Sequence, residues 1–224
     1  METPRVLYFT NWYLDKEPSR LYELVSCIDR TIKSGEVDAV YLLTETETET
    51  EMPFNYDNNC EIFKSNLKKR PTFNDFFEFA NRVAKEGDII IIANTDIYPD
   101  KGTRELIQNI QTSDCYALSR YDEDKQGNKI FFDRWDSQDV WIFKARLIRI
   151  EGDFMLGKAG CDNAIAERIQ SAGYNIQNPS KTIKFNHLHN SGVRNYNPDD
   201  RVNKPYLLIT PINLGEIQTY HYIR

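Results

Sequence analysis

The chain has 224 residues, a formal net charge of −6 and a hydrophobic content of 40%, with 12 Phe, 13 Tyr and 3 Trp. These values exclude a disordered chain and predict one large core or at most two small ones. The acidic balance excludes a chain-wide attraction to nucleic acid or anionic lipid, although a local basic pocket is compatible with it.

The sequence shows neither a signal-peptide pattern nor an apolar run near the roughly 20 residues that span a bilayer. We therefore expect no transmembrane segment and a cytoplasmic location. The four cysteines are scattered and form no C-x-x-C pair. This spacing favours reduced thiols over a zinc site or a disulfide framework.

The first half of the chain alternates strand and helix patterns. Strands are predicted at residues 6–10, 37–43, 61–65 and 88–93. Apolar residues at helical spacing predict a helix over 21–32, and Thr72 opens a second one. Continuous apolar strands separated by helices indicate a mostly parallel sheet covered on both faces, with ligands at the carboxyl ends of its strands.

The second half is less periodic. Strands are predicted at residues 115–119, 140–144 and 182–186. A helix is predicted over 162–172, capped by Asp162 or Asn163 and ended by Gly173. The alternation TETETETE over 44–51 predicts a solvated acidic loop, with a lid as the alternative. No linker composition or internal repeat occurs, so we expect one domain with two lobes.

Asn94-Thr95-Asp96 follows the most hydrophobic strand directly. A carboxylate at the carboxyl end of a central parallel strand lies where ligands bind, and Mg²⁺ and Mn²⁺ take oxygen ligands there. Asp96 is therefore a candidate metal ligand, and Asn94 a candidate for binding a ribose or a phosphate. The alternative interpretation is a simple turn.

His187 and His189 stand at i and i+2, which on an extended segment places both side chains on one face. Such a pair can bind a metal or contact a phosphate, and hydrogen-bonded structural histidines are the alternative. Arg194 follows in a polar stretch, where it can bind phosphate.

Two further acids are candidates. Asp162 at the predicted helix start can act as a general base, and an ordinary cap is the alternative. Asp139 lies between Trp135 and Trp141, a composition that suits sugar recognition, with core aromatics as the alternative. P-loop, dinucleotide, zincin and α/β-hydrolase motifs do not occur in the sequence.

In this order, the segments resemble the GT-A fold glycosyltransferases. Asn94-Thr95-Asp96 looks like their D-x-D motif with Asn at the first position, and Gly160-Cys161-Asp162 is similar to their x-E-D segment. The resemblance implies an α/β, single-domain, Rossmann-like fold. It also implies Asp96 with His187 or His189 as ligands of Mn²⁺ or Mg²⁺, Asp162 as the base of an inverting enzyme, and Arg194 against the diphosphate.

The resemblance further implies a nucleotide-binding half at about 1–100 and an acceptor half at about 101–224. Asp139 would contact the donor sugar or the acceptor. The residues expected near the nucleotide are Thr10, Asn11, Ser65 and Arg70. The donor is expected to be a nucleoside-diphosphate sugar, usually of UDP or GDP, and the acceptor a glycan, a lipid-linked oligosaccharide or another hydroxyl, with a modified DNA base less favoured.

Two other functions fit the same scaffold. A sugar nucleotidyltransferase usually carries a Gly-rich loop after the first strand, where this chain reads Thr10-Asn11-Trp12-Tyr13, so we rank that function below sugar transfer. A non-catalytic sugar- or nucleotide-binding protein is the other alternative. It differs from the enzyme by binding a donor without metal-dependent turnover.

Overall fold

The computed structural model describes residues 3–45, 60–193 and 199–224, so Arg194 and most of the predicted acidic loop (46–51) lie outside the described residues. The strands are β1 Val6–Trp12, β2 Ala39–Thr44, β3 Glu61–Asn66, β4 Ile89–Ala93, β5 Ile97–Pro99, β6 Asp114–Leu118, β7 Tyr121–Glu123, β8 Lys129–Phe131, β9 Val140–Lys144, β10 Asn175–Gln177, β11 Phe185–His187, β12 Tyr206–Ile209 and β13 Tyr220–Ile223. The helices are α1 Pro18–Lys33, α2 Phe73–Val83, α3 Thr103–Ile107 and α4 Cys161–Ser171.

A seven-stranded sheet of order β10-β6-β9-β4-β1-β2-β3 forms the centre of the fold. β1 pairs in parallel with β2 and β4, and β2 does so with β3. β9 is antiparallel to both β4 and β6. The predicted α/β fold with a mostly parallel central sheet is confirmed. The parallel strands β1 and β4 end at the same edge, and this brings the segments after them together.

Each face of the sheet buries its own hydrophobic core, because successive side chains of a strand point to opposite faces. Leu7 and Phe9 pack with α2 and α4 on one face. Val6 and Tyr8 pack with α1 and α3 on the other. The continuous apolar strands of the sequence therefore lie between two helical layers, as expected.

The two helices of the first face begin differently. Thr72 and Asp75 form a reciprocal capping box at the start of α2, which satisfies two of its free backbone N–H groups. α4 has Gly160 as its N-cap, with φ 73°, and no capping side chain. The prediction that Asp162 or Asn163 caps this helix is therefore wrong. Gly160 is close-packed as well, since a Cβ there would lie 3.0 Å from the Tyr206 hydroxyl.

A second sheet of order β5-β11-β7-β8 stands beside the first. β11 pairs antiparallel with β5 and parallel with β7, so that His187 lies opposite Ile97 and Asp122. The strand predicted at 182–186 is shorter and displaced toward the histidines. This small sheet carries His187 to the carboxyl end of β4. The four cysteines all lie in the described part of the chain, where they are buried thiols not joined in disulfides.

Candidate active site

A cleft of about 1010 Å³ opens at the carboxyl ends of β1 and β4. Eight of the predicted site residues line it, namely Asn11, Arg70, Asn94, Asp96, Asp139, Asp162, His187 and His189. Thr10 is fully buried beneath it, where its hydroxyl lies 3.4 Å from that of Thr95. Ser65 lies on the edge strand β3, outside the cleft lining. The proposed roles of Thr10 and Ser65 remain predictions.

Asp96, His187 and His189 form one cluster, whose candidate ligand atoms all lie within 4.8 Å of one another. Asp96 Oδ2 is 3.2 Å from His187 Nε2 and 3.4 Å from His189 Nδ1. The Leu188 N–H donates to the Asp96 carbonyl over 3.0 Å. Because side chains alternate along an extended segment, this bond brings both imidazoles to the same carboxylate.

The His187 ring is held from its other side by Asp122, whose Oδ1 lies 2.7 Å from Nδ1. Histidines that bind metals usually donate their second ring N–H to a carboxylate in this way, and the contact directs Nε2 toward Asp96. Burial would raise the pKa of Asp122, but His187 and Arg120 lower it to about 2. Asp122 is a site residue that the sequence analysis missed.

Arg20 and Glu23, also missed, join α1 to this cluster. Arg20 Nη2 donates to Asp96 Oδ2 over 2.6 Å, and Nη1 donates to Glu23 Oε2 over 3.0 Å. Glu23 in turn accepts from the Ser191 backbone N–H over 2.6 Å. Burial would raise the pKa of Asp96, yet His187, His189 and Arg20 hold it well below its usual value. Asp96 is therefore ionised in any neutral buffer.

The donor set fits a divalent cation. The connected ionic groups are Glu23, Asp96, Asp122, Asp139, Arg20 and Arg120. With neutral imidazoles, four carboxylates and two guanidiniums leave a net charge of −2. One divalent ion held by a carboxylate oxygen and two imidazole nitrogens would offset that charge, and these are ligand types that Mn²⁺ accepts.

Asn94 does not join the cluster but binds Asp139 instead. Its Nδ2 donates to Asp139 Oδ1 over 2.8 Å, and its backbone N–H donates to the Asp139 carbonyl over 3.0 Å. Arg120 Nη1 donates to Asp139 Oδ2 over 2.9 Å. An acid at position 94 would set two carboxylates against each other, which explains the amide at the first position of the D-x-D-like motif.

Asp162 lies in the first turn of α4, where the glycine cap leaves its carboxylate in the cleft. Burial and the charge of Asp139 raise the pKa of Asp162 to about 7, against the lowering effect of backbone N–H groups such as that of Asn163. A carboxylate with a pKa near the working pH is suited to accept a proton. One cleft thus contains a candidate cation-binding cluster around Asp96 and, apart from it, a carboxylate of raised pKa at Asp162.

The two tryptophans near Asp139 have different environments. Trp141 is 1% exposed and packs edge-on against Phe73 in the core, so for this residue the core alternative holds. Trp135 is 52% exposed and its ring lies 5.1 Å from that of His221.

Comparison with solved structures identifies the fold of the chain. No family model and no curated protein matches the chain. Among solved structures, residues 1–349 of S. aureus TarS in complex with UDP-GlcNAc match at 13% identity and a TM-score of 0.54, covering 85% of this chain and 60% of that one. The mannosyltransferase PcManGT from Pyrobaculum calidifontis, with GDP-Man and Mn²⁺, matches at 15% identity and a TM-score of 0.51, covering 84% and 57%.

The chain has a GT-A fold. It spans less than two thirds of the length of these two solved chains. The Asn94–Asp96 turn follows β4, and Asp162 is the second residue of α4. In the part of the chain that the structure describes, none of the helices has the length and hydropathy needed to span a membrane.

Proposed function

We propose that the chain is a metal-assisted glycosyltransferase, which moves a sugar from a nucleoside-diphosphate sugar to an acceptor hydroxyl. The observation that carries this proposal is that one cleft contains groups suited to both sides of the reaction. It holds the Asp96, His187 and His189 cluster together with Asp162, whose pKa is raised to about 7. Sugar transfer needs both a group that offsets the charge of a leaving diphosphate and a base for the attacking hydroxyl.

On the donor side, a divalent cation held by Asp96, His187 and His189 would supply positive charge beside the diphosphate. Arg20 lies within hydrogen-bond distance of Asp96 and fixes its carboxylate. Arg70 and Asn11 line the same cleft and are available to the nucleotide. The neighbours' complexes with UDP-GlcNAc and with GDP-Man and Mn²⁺ support a UDP or GDP sugar and Mn²⁺ as the first reagents to test.

On the acceptor side, Asp162 takes the proton of the acceptor hydroxyl. The acceptor oxygen forms a bond to the anomeric carbon as the bond from that carbon to the diphosphate breaks, so in-line attack inverts the configuration. The proton resides on Asp162 and the electron pair leaves with the diphosphate. Asp139 and Asp162 come from the second half of the chain, and Asn11 and Arg70 come from the first. We therefore assign the acceptor to about 101–224 and the nucleotide to about 1–100, with His187 and His189 of the second half on the donor side.

The test is an assay of donor hydrolysis and sugar transfer with UDP and GDP sugars, with and without Mn²⁺, for the wild type, Asp162→Asn and Asp96→Ala. Loss of a base costs on the order of 10²–10⁴ in rate. Near wild-type turnover in both variants would contradict the proposed mechanism. Donor binding by calorimetry with no turnover of any glycan, lipid-linked or DNA acceptor would instead favour a binding protein.

A further inference from the structure

Arg120 connects the two sides of the cleft. Its Nε donates to Asp122 Oδ1 over 2.8 Å, and its Nη1 donates to Asp139 Oδ2 over 2.9 Å. Asp122 is the carboxylate that holds His187. Asp139 is the carboxylate whose charge acts on Asp162. One guanidinium therefore binds the group that orients a donor-side imidazole and the group that sets the electrostatics of the candidate base.

The position of Arg120 is itself fixed. Its guanidinium carbon lies 4.2 Å from the centre of the Phe132 ring, and Nη1 is 3.3 Å from the Ser137 hydroxyl. The planar guanidinium can donate in two directions at once, whereas an ammonium is a single point of charge on a flexible stem. Lysine at this position would keep the charge but could not span both carboxylates in the same geometry.

We propose that Arg120 is a positioning residue that couples the donor side of the cleft to the acceptor side by holding Asp122 and Asp139 at the same time. The catalytic role of this coupling rests on the proposed glycosyltransferase function. Its contacts do not depend on that function, so the coupling is measurable without turnover. Loss of Arg120 should release the His187 ring and leave the Asp139 carboxylate uncompensated beside Asp162.

Several other groups also act on Asp162. Arg134, from the segment after β8, and the Cys161 thiol of α4 interact with it electrostatically. Two further cations line the same cleft, Lys158 and Arg201. None of these four groups is altered in the variants below. A change in the titration midpoint of Asp162 therefore reports on Asp139 and Arg120.

The experiment measures two quantities on the full chain. Mn²⁺ affinity is determined by electron paramagnetic resonance, and the Asp162 carboxyl is titrated by NMR with ¹³C-labelled aspartate. Arg120→Lys and Arg120→Gln should weaken Mn²⁺ binding by about 10–100-fold, as loss of outer contacts to a ligand does. Arg120→Gln should also raise the Asp162 titration midpoint by about one pH unit, because Asp139 then acts on it without its counter-charge, whereas Arg120→Lys keeps a charge and should raise it less.

Matched variants distinguish the contact of Arg120 with Asp122 from its contact with Asp139. Asp122→Asn cuts only the donor-side contact, so it should weaken Mn²⁺ binding and leave the Asp162 midpoint unchanged. Arg104→Lys, which alters an ion pair with Asp38 outside the cleft, should change neither quantity. If Arg120→Gln changes only one quantity, or if Asp122→Asn shifts both, the coupling through Arg120 is refuted. If Arg120→Gln does not fold, Arg120→Lys decides instead, and an unchanged Mn²⁺ affinity in that variant refutes the coupling.

Discussion

Asn94 and Asp139 are bound to each other twice, through the Asn94 side-chain amide at 2.8 Å and through its backbone N–H at 3.0 Å. The pair lies where β4 and β9 run antiparallel, and Arg120 holds the second Asp139 oxygen. The amide therefore has a structural reason to replace the acid that a full D-x-D motif would carry. Asp96 is left as the one motif carboxylate in the candidate metal-binding cluster.

Restoring the motif should damage the protein. In Asn94→Asp the new carboxylate would face Asp139, and the repulsion together with the lost hydrogen bond should lower the free energy of unfolding by about 1–3 kcal/mol. The repulsive part of the loss should be largest at neutral pH and smaller in acid, where a carboxylate at position 94 takes up a proton. Urea unfolding at several pH values measures it, with the exposed Asn109→Asp as the control. A variant as stable as the wild type at pH 7 would contradict the role of the pair.

Asp162→Asn should abolish activity and, above pH 7, increase stability. Since the pKa of Asp162 is raised to about 7, wild-type kcat/KM should rise with pH through 7 and then level off. The folded state binds more protons than the unfolded one between the ordinary aspartate pKa of about 4 and 7, so stability falls as pH rises through that window. Above pH 7 the inactive Asp162→Asn should therefore melt a few degrees higher than the wild type.

The control for this variant is the exposed Asp153→Asn, which should change neither the pH profile nor the melting temperature. Differential scanning fluorimetry at pH 5 and pH 8 gives the comparison. Equal melting temperatures of Asp162→Asn and the wild type at pH 8 would show that the carboxylate carries no burial cost there.

Mn²⁺ affinity should depend on pH through His187. Burial lowers the pKa of His187, but Asp96 and Asp122 raise it to about 9 in the metal-free protein. An ion that binds Nε2 must displace that proton, so affinity should rise with pH up to 9, by at most tenfold per unit for one proton. Calorimetry at pH 6.5, 7.5 and 8.5 measures the slope. His187→Ala should abolish it, His221→Ala should preserve it, and a flat wild-type profile would exclude His187 as a ligand.

Strand periodicity was sufficient to predict the central sheet and the place of Asn94 and Asp96 just after β4. The carboxyl edge of a parallel sheet brings such segments together, whereas the two histidines come from the second, mixed sheet. Asp122 lies in β7, a strand of three residues, which is too short to show a period.

The other residues that the sequence analysis missed or misassigned can each be explained by a particular contact or backbone angle. Arg20 and Glu23 were missed because both stand on a helix whose apolar stripe accounts for the pattern, and their burial depends on Asp96 and Ser191. The cap of α4 was misassigned because Gly160 adopts a positive φ, a conformation that glycine allows without a side-chain bond. Tertiary contacts decided each of these points, and a single sequence does not contain them.

Removal of Arg20 should be costly, because it leaves Asp96 and Glu23 buried without their shared cation. Arg20→Met should lower the free energy of unfolding by about 3–5 kcal/mol, whereas Lys33→Met, which breaks an exposed i,i+4 pair with Asp29, should cost less than about 1 kcal/mol. The Arg20→Met, Glu23→Gln double variant should lose less than the sum of the single losses, since the two residues share one contact.

Mn²⁺ provides the stricter test of the same variant. Without Arg20 the connected carboxylates carry one more uncompensated negative charge, so the ion should raise the melting temperature of Arg20→Met more than that of the wild type. The comparison is made by thermal shift at equal Mn²⁺ concentration, with Lys33→Met as reference. If Mn²⁺ protects the variant no better than the wild type, the charge of Arg20 has no part in setting the affinity of the cleft for a cation. Arg20 then only stabilises the contact of α1 with Asp96.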